Sequence, residues 1–433
     1  MKKLFILLAA IITVFTLTGC KKETVEITVQ VETGWLPYYE MVRDNVLDEF
    51  PDAKIKFIET GSFDHLDTLD GTDATNKDVA DVFAAPADRM YGLESNDLLA
   101  YLPAKEMAGR IGGWSEYDAG LGGAFKIDGE YVAIPMNIET LIYFVNTQNA
   151  SDAGIDLNQP VAMEDLAYDD MLVAYFNAWF GVAFTNAVDL ELLGMNTDGS
   201  LFSDMTKDWS ALTADQKALF TYLYNYWSFH NDLGNSAWDS ANLWADMDAS
   251  FDTETTTEDP LTTSLLLEGP WNTSKYNDIA GTDFDILPIS KVTIAGNELA
   301  HWKGGWGLVI NARVEEDKDQ MELAMAFIEE LVNPDNAIEF FQNTGKIMEN
   351  VPASVYANST ELTAAEKLVV ESVIEGYQNA PARPLFSEWG QVWDTWQNGL
   401  LSWNNTESGV NSPQTAYEAV KASFVAMMDG FNE

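Results

Sequence analysis

The hydrophobic period switches repeatedly between residues 25 and 84, and that switching limits the folds open to this chain. Val25, Ile27, Val29 and Val31 alternate with Glu26, Thr28, Gln30 and Glu32, the period of a half-buried strand. Tyr39, Val42, Val46 and Phe50 then follow helical spacing, and Pro51-Asp52 closes that helix. Residues 55–59 form a second short strand, and the apolar run at residues 78–84 a third. Strand and helix in alternation predict an α/β fold with a parallel sheet. Ligands of such sheets bind beyond the carboxyl ends of the strands. Residues 32–38 and 85–89 therefore form a candidate binding edge.

Further along, residues 168–244 read as mostly helical, with Phe220, Leu223, Tyr224 and Trp227 on one face. Residues 246–260 form an acidic, Thr-rich loop. Asp246, Asp248, Ser250 and Asp252 alternate as calcium ligands would, but Phe251 stands at the turn glycine and Thr257 at the bidentate glutamate. No metal site is expected there. Strand character returns at residues 265–267, 285–287 and 308–310, and helices follow at 322–332 and over the last seventy residues. With no internal repeat and no low-complexity linker, the domains are expected to be interleaved.

The N-terminus reads as an export signal. Lys2 and Lys3 precede an apolar core over residues 4–17, too short for a transmembrane helix. Leu17-Thr18-Gly19-Cys20 resembles a lipoprotein cleavage box, so residues 1–19 are expected to be removed and Cys20 acylated on the outer face of the cell membrane. An ordinary secretory signal with a chance cysteine is the alternative. Residues 20–24 would be the lipidated tether, with the fold starting at Val25. Cys20 is the sole cysteine, which excludes disulfides and cysteine metal sites.

Stability must then come from a large core, and 47% apolar residues can supply one. The 69 Asp and Glu against 23 Lys and Arg give a net charge of −46. That balance excludes nucleic-acid binding, which needs a basic face, and keeps the body away from acidic lipid. The 14 Trp exceed what a core of this size needs, so some are expected to face a ligand.

Five segments carry a likeness. They are Asp81-Val82-Phe83-Ala84-Ala85-Pro86-Ala87-Asp88-Arg89-Met90 with Leu98-Leu99-Ala100 and Pro103; residues 127–135 with Glu139-Thr140-Leu141 and Tyr143; Glu268-Gly269-Pro270-Trp271 with Leu287-Pro288; residues 304–312 leading into Ala324-Met325-Ala326-Phe327-Ile328; and Trp389 with Val392 and Trp393. Together they resemble, in the same order, the maltose and maltodextrin-binding family of extracellular solute-binding proteins. The resemblance implies a two-lobed periplasmic-binding-protein-like fold, with residues 25–137 and 302–356 in one lobe and 138–301 and 357–433 in the other. Crossings are implied near Ile138, near Trp302 and over residues 357–366. It also implies a sugar chain in the cleft, a monomer, no cofactor, no catalysis, and delivery to the membrane subunits of an ATP-driven importer.

Sugar chemistry makes such a site intelligible. Hydroxyls donate and accept, so carboxylates and Arg orient them, while the C–H face of the ring packs on flat aromatic rings. By resemblance, Asp88 and Arg89 are the acid and base pair, Glu139 is a ligand-contacting glutamate at the first crossing, and Trp271 and Trp389 are stacking surfaces. Trp393 and Trp396 compete with Trp389, because the three stand at helical spacing. The chain also departs from the pattern. Ala85 falls where the family has a Trp, and Trp35, after Gly34, stands near the family's first-loop lysine and could stack in its place. Residues 175–180 align poorly, leaving Phe176 or Trp179 as the aromatic contact.

Other readings remain at this stage. An extracellular glycosidase would need two carboxylates beside a sugar cleft, but acids are too numerous here for a pair to mean anything. No nucleophile elbow or His-Glu-x-x-His motif is present. His65, His230 and His301 are far apart and read as isolated polar or packing residues. A surface adhesin with a borrowed fold, or a receptor for a polyol or glycerol phosphate, are the remaining alternatives.

Overall fold

The computed structural model describes residues 24–69, 72–252, 261–405 and 408–431. The expected signal peptide at residues 1–19, Cys20, most of the tether, and Thr257 of the acidic loop lie outside them. Among the described residues, no helix is long and apolar enough to cross a membrane.

Two sheets organise the fold. Their strands, in chain order, are β1 (Glu26–Glu32), β2 (Lys54–Thr60), β3 (Val82–Pro86), β4 (Ile134–Glu139), β5 (Ile142–Asn146), β6 (Met171–Leu172), β7 (Leu265–Glu268), β8 (Phe284–Pro288) and β9 (Gly304–Ile310). The first sheet has the order β2-β1-β3-β9-β4 and the second the order β8-β5-β7-β6. The alternation seen in the sequence buries Ile27, Val29 and Val31 of β1. The following helix, Leu36–Glu49, starts with proline in its first turn, where a missing N–H is harmless, and ends at Phe50 ahead of Pro51.

Neither sheet is wholly parallel, contrary to expectation. β1 runs parallel to β2 and β3, but β9 is antiparallel to both of its neighbours, β3 and β4. The cause is the route of the chain. A parallel strand needs a crossover back to the opposite edge, whereas β9 enters from the second sheet at the edge where β4 left, Gly304 lying opposite Glu139. The third strand also begins later than residues 78–84 predicted. Asp81 ends the preceding turn: its carboxylate accepts the Thr28 N–H (2.7 Å) and Oγ1–H (2.8 Å) and the Arg313 Nε–H (2.8 Å).

The middle of the chain is less helical than its periodicity predicted. Helices Ala178–Ala187 and Ala214–Leu233 are separated by a small hairpin, Gly194–Met195 with Leu201–Phe202. The turn residues Asn196, Asp198 and Gly199 (φ +82°) outweigh the apolar spacing there. Helix Ala214–Leu233 is delimited by a Thr213–Gln216 capping box and left-handed Gly234. Much of the Trp surplus is spent on this core. Trp238 stacks on Trp403 (5.1 Å, 11°), while the Trp238, Trp396 and Trp403 indoles donate to the carbonyls of Leu400, Tyr175 and Ala416.

Candidate functional site

Asp88, Arg89 and Glu139 lie at one edge of the first sheet. β3 ends at Pro86 and runs into the single turn Ala87–Arg89, while β4 ends at Glu139. β9 begins between them, pairing Trp306 with Pro86 on one side and Asn137 on the other. Of the Gly304-Gly305 pair that starts β9, only Gly305 is sterically required. A Cβ on Gly305 would lie 2.2 Å from the Asn137 carbonyl oxygen, and one on Gly304 would point toward Glu139, Arg383 and Trp179. Trp35 sits at the carboxyl end of parallel β1, on the same edge of the sheet. It is partly buried at the head of helix Leu36–Glu49.

Glu139 is nearly buried and fully engaged. Oε1 accepts from Lys346 Nζ at 2.6 Å and Oε2 accepts from the Trp306 indole at 3.1 Å. The Lys346 ammonium also lies over the rings of Trp271 (5.2 Å) and Trp306 (5.9 Å), in the range of cation–π attraction. Trp271 follows β7 in the turn Pro270–Asn272 and keeps 40% of its surface exposed. Beside that turn, burial pushes the Glu268 carboxyl up to about 7, with the Gly269 N–H and Asn272 working against the shift.

A second cluster surrounds Arg383. Its Nη2 donates to Asp88 Oδ2 at 2.9 Å, and its guanidinium carbon lies 5.1, 5.3 and 5.9 Å from the ring centres of Trp179, Trp302 and Trp393. His301 packs on Trp179 (4.3 Å) and donates from Nε2 to the Trp179 carbonyl at 2.8 Å. Burial, reinforced by the Arg383 charge, pushes the His301 pKa down to about 3, so the ring is neutral. Trp389 is buried against Trp302 (4.8 Å) and Trp393 (4.9 Å), which meet it edge-on.

A cavity of about 490 Å³ opens beside this cluster, lined by Asp88, Arg89, Leu93, Phe386, Trp389 and Trp393 among others. That volume is typical of small-molecule sites. Asp88 Oδ1 and the indole nitrogens of Trp179 and Trp389 are buried with no hydrogen-bond partner among the described residues. Such groups are costly to leave unpaired. Of the three residues, Asp88 and Trp389 line the cavity and Trp179 does not.

The sequence candidates thus separate. Asp88, Arg89 and Trp389 share the cavity, with Trp179 packed on Arg383 behind it, while Glu139 and Trp271 meet at Lys346. Two of the alternatives go to the core: Phe176 packs edge-on against Trp238, and Trp396 is 1% exposed. Arg383, Lys346 and Trp306 were not picked out from the sequence as site residues. One signal for Arg383 existed, a basic residue between Pro381 and Pro384 in a chain so poor in Lys and Arg. In the acidic loop, Asp246 accepts from the Ser236 N–H and Asp248 pairs with Lys275. No group of three or more metal-ligating side chains occurs among the described residues.

No protein-family model matches the sequence, and no curated protein does. Solved structures match well. The maltose-binding periplasmic protein MalE of Listeria monocytogenes, in complex with maltose, superposes with a TM-score of 0.67 at 18% identity, over 94% of this chain and 98% of that one. MalX of Streptococcus pneumoniae, in complex with maltopentaose, gives 0.67 at 19% identity over 94% and 100%. The GacH receptor of Streptomyces glaucescens, solved unliganded and with acarbose, gives 0.67 at 14% identity over 94% and 99%. At such identities the likeness is one of fold: this chain has the two-lobed architecture of the maltose- and maltodextrin-binding proteins.

Proposed function

We propose that this protein is the extracellular substrate-binding lipoprotein of an ABC importer, taking maltose- or maltodextrin-like oligosaccharides into the interlobe cleft and handing them to the membrane permease. The observation that carries the reading is the cavity lined by Asp88, Arg89, Trp389 and Trp393, where acid, Arg and indole groups converge and where Asp88 Oδ1 and the Trp389 indole nitrogen have no partner among the described residues. Sugar hydroxyls supply both kinds of partner, and the C–H face of a sugar suits indole surfaces. The solved structures of the same fold, with maltose, maltopentaose and acarbose, support the same ligand class. Asp88, Arg89, Glu139, Trp35, Trp179, Trp271 and Trp389 are the proposed contacts.

In this reading residues 25–137 and 302–356 form one lobe, and 138–301 and 357–433 the other. Cys20 carries the lipid after removal of residues 1–19 and keeps the receptor beside its transporter. Two acyl chains or more are expected, since one gives only marginal binding. The protein works as a monomer without a cofactor and is not an enzyme.

The test is a thermal-shift and Trp-fluorescence titration of the purified protein against a glycan panel containing maltooligosaccharides. Binding raises stability by mass action, about 2.7 kcal/mol at a hundredfold excess over the Kd. Silence across the panel overturns the proposal, and shortening of the glycans without stable binding replaces it with hydrolysis.

A further inference from the structure

Lys346 stands between the two sheets. Helix Ala337–Thr344 stops at left-handed Gly345 (φ +67°), and the Lys346 N–H donates to the Thr344 hydroxyl at 3.0 Å. One residue on, the Ile347 carbonyl accepts the Ile138 N–H at 2.9 Å, which pins this backbone along β4. From there the side chain, 12% exposed, carries its ammonium to Glu139 of the first sheet and over Trp271, which follows β7 of the second.

Trp271 sits in a single turn with 40% of its surface exposed. Its indole rests on the bare backbone of Gly269, where a Cβ would lie 2.1 Å from two ring carbons. The Gly269 N–H donates to Glu268 Oε1 at 2.8 Å, which fixes that seat. A flat contact with backbone limits the ring on one side only. The ammonium, 5.2 Å from the ring centre, is a second point of hold, through the attraction of a cation for an indole face. An indole already ordered loses less freedom when a sugar ring stacks on it.

The charge of Lys346 is matched within the protein. Glu139 Oε1 accepts from it at 2.6 Å, and Oε2 accepts from the Trp306 indole, whose ring lies 5.9 Å from the same ammonium. The other carboxyl group at this turn, Glu268, engages the Gly269 N–H. We propose that Lys346 is a positioning residue of the binding site, acting through Trp271. Anchored by Glu139, its ammonium holds the indole in the orientation that receives the sugar. The assignment rests on the sugar-receptor reading and adds a residue that works without touching the ligand.

The experiment is calorimetric titration of the full chain with maltotriose, joined by fluorine NMR of the same protein containing fluorotryptophan. The variants are Lys346→Gln, Lys346→Arg, Glu139→Gln, Trp271→Ala and the Lys346→Gln/Trp271→Ala double. Gln keeps a donor for Glu139 and removes the charge from the indoles. It weakens binding by about fivefold to tenfold, the range of a partly desolvated cation–π contact. Arg also pairs with a carboxylate and stacks on indoles, so Lys346→Arg keeps most of the affinity. In the Trp271→Ala background, Lys346→Gln changes affinity by less than about twofold. The Trp271 resonance, identified by its absence from Trp271→Ala, shifts or broadens in Lys346→Gln without ligand. Glu139→Gln, which removes the anchor of the ammonium, moves the same resonance and decides the matter if Lys346→Gln folds poorly. A merely structural role lowers affinity equally with and without Trp271, and that result overturns the assignment. So does a Trp271 resonance untouched in the folded variants, a measurement that needs no glycan. If the unaltered chain binds no glycan, the sugar reading falls and the assignment with it. If it binds maltotriose and Lys346→Gln binds equally well, only the assignment falls.

Discussion

Lys346 Nζ and Glu139 Oε1 lie 2.6 Å apart, with side chains 12% and 9% exposed. The pair joins the end of β4 to the segment after helix Ala337–Thr344, and the ammonium also rests on Trp271. Lys346→Met would leave Glu139 charged and almost dry. Breaking a buried pair from one side is expensive, so the variant is expected to lose about 3 kcal/mol in urea unfolding. Adding Glu139→Gln should restore much of that loss, because the stranded charge goes with it.

Glu268 supplies a pH test. Its carboxyl is pushed by burial from the ordinary 4.5 up to about 7 in the folded protein. The native state therefore holds the proton more tightly than the unfolded chain between these values. The stabilisation is complete below 4.5 and is lost as pH rises through 7. Glu268→Gln removes this dependence, so its stability relative to the unaltered protein should improve steadily from pH 4.5 to pH 8. A flat difference would show that Glu268 ionises without hindrance.

His301 has the opposite sign. Its pKa falls from 6.5 to about 3 on folding, so the unfolded chain takes the proton more readily. Its contribution is whole above pH 6.5 and is lost as pH falls toward 3. Acid unfolding monitored by Trp fluorescence should begin at lower pH in His301→Gln, provided the substitution keeps the bond to the Trp179 carbonyl.

Two tryptophans should answer differently to removal. Trp271 is 40% exposed, so Trp271→Ala is expected to leave the unfolding midpoint nearly unchanged while weakening maltooligosaccharide binding. Trp396 is buried and donates to the Tyr175 carbonyl at 2.8 Å. Trp396→Ala should lose about 3–5 kcal/mol of stability. Equal effects of both on stability would place Trp271 in the core.

Gly305→Ala tests the close approach of β9 to β4. The new methyl group would lie 2.2 Å from a backbone oxygen that cannot rotate away. Overpacking of this kind is expected to destabilise by about 1–3 kcal/mol, read from chemical denaturation.

The α/β class was legible in the sequence because strand and helix periods are local features, whereas the two lobes were implied only by the resemblance of five segments to a known family. Ile27, Val29 and Val31 announce β1 by alternation alone. The reversed direction of β9 was not legible, because it depends on where the chain re-enters the first sheet, and no local pattern encodes that. The site divides in the same way. Asp88 and Glu139 could be named because each sits in a recognisable segment at a strand end. Arg383 and Lys346 meet them from 295 and 207 positions away, and only the folded chain shows that these carboxylates have partners. Among the tryptophans, Trp389, Trp393 and Trp396 share one helical spacing, and the rotation that buries Trp396 is set by Tyr175, more than 200 positions earlier.

The place of β9 also sets a schedule for synthesis. Residues 304–310 fill the gap between β3 and β4, which end at positions 86 and 139. Until about 310 residues have been made, the first sheet lacks an interior strand, and β3 and β4 each present an unpaired edge. Contacts this distant in sequence form slowly, and open edges are where chains pair wrongly. A nascent chain halted before position 304 should therefore remain sensitive to protease and prone to aggregation, and protection should come only once the core residues of helix Lys318–Leu331 and the Lys346 partner of Glu139 have followed.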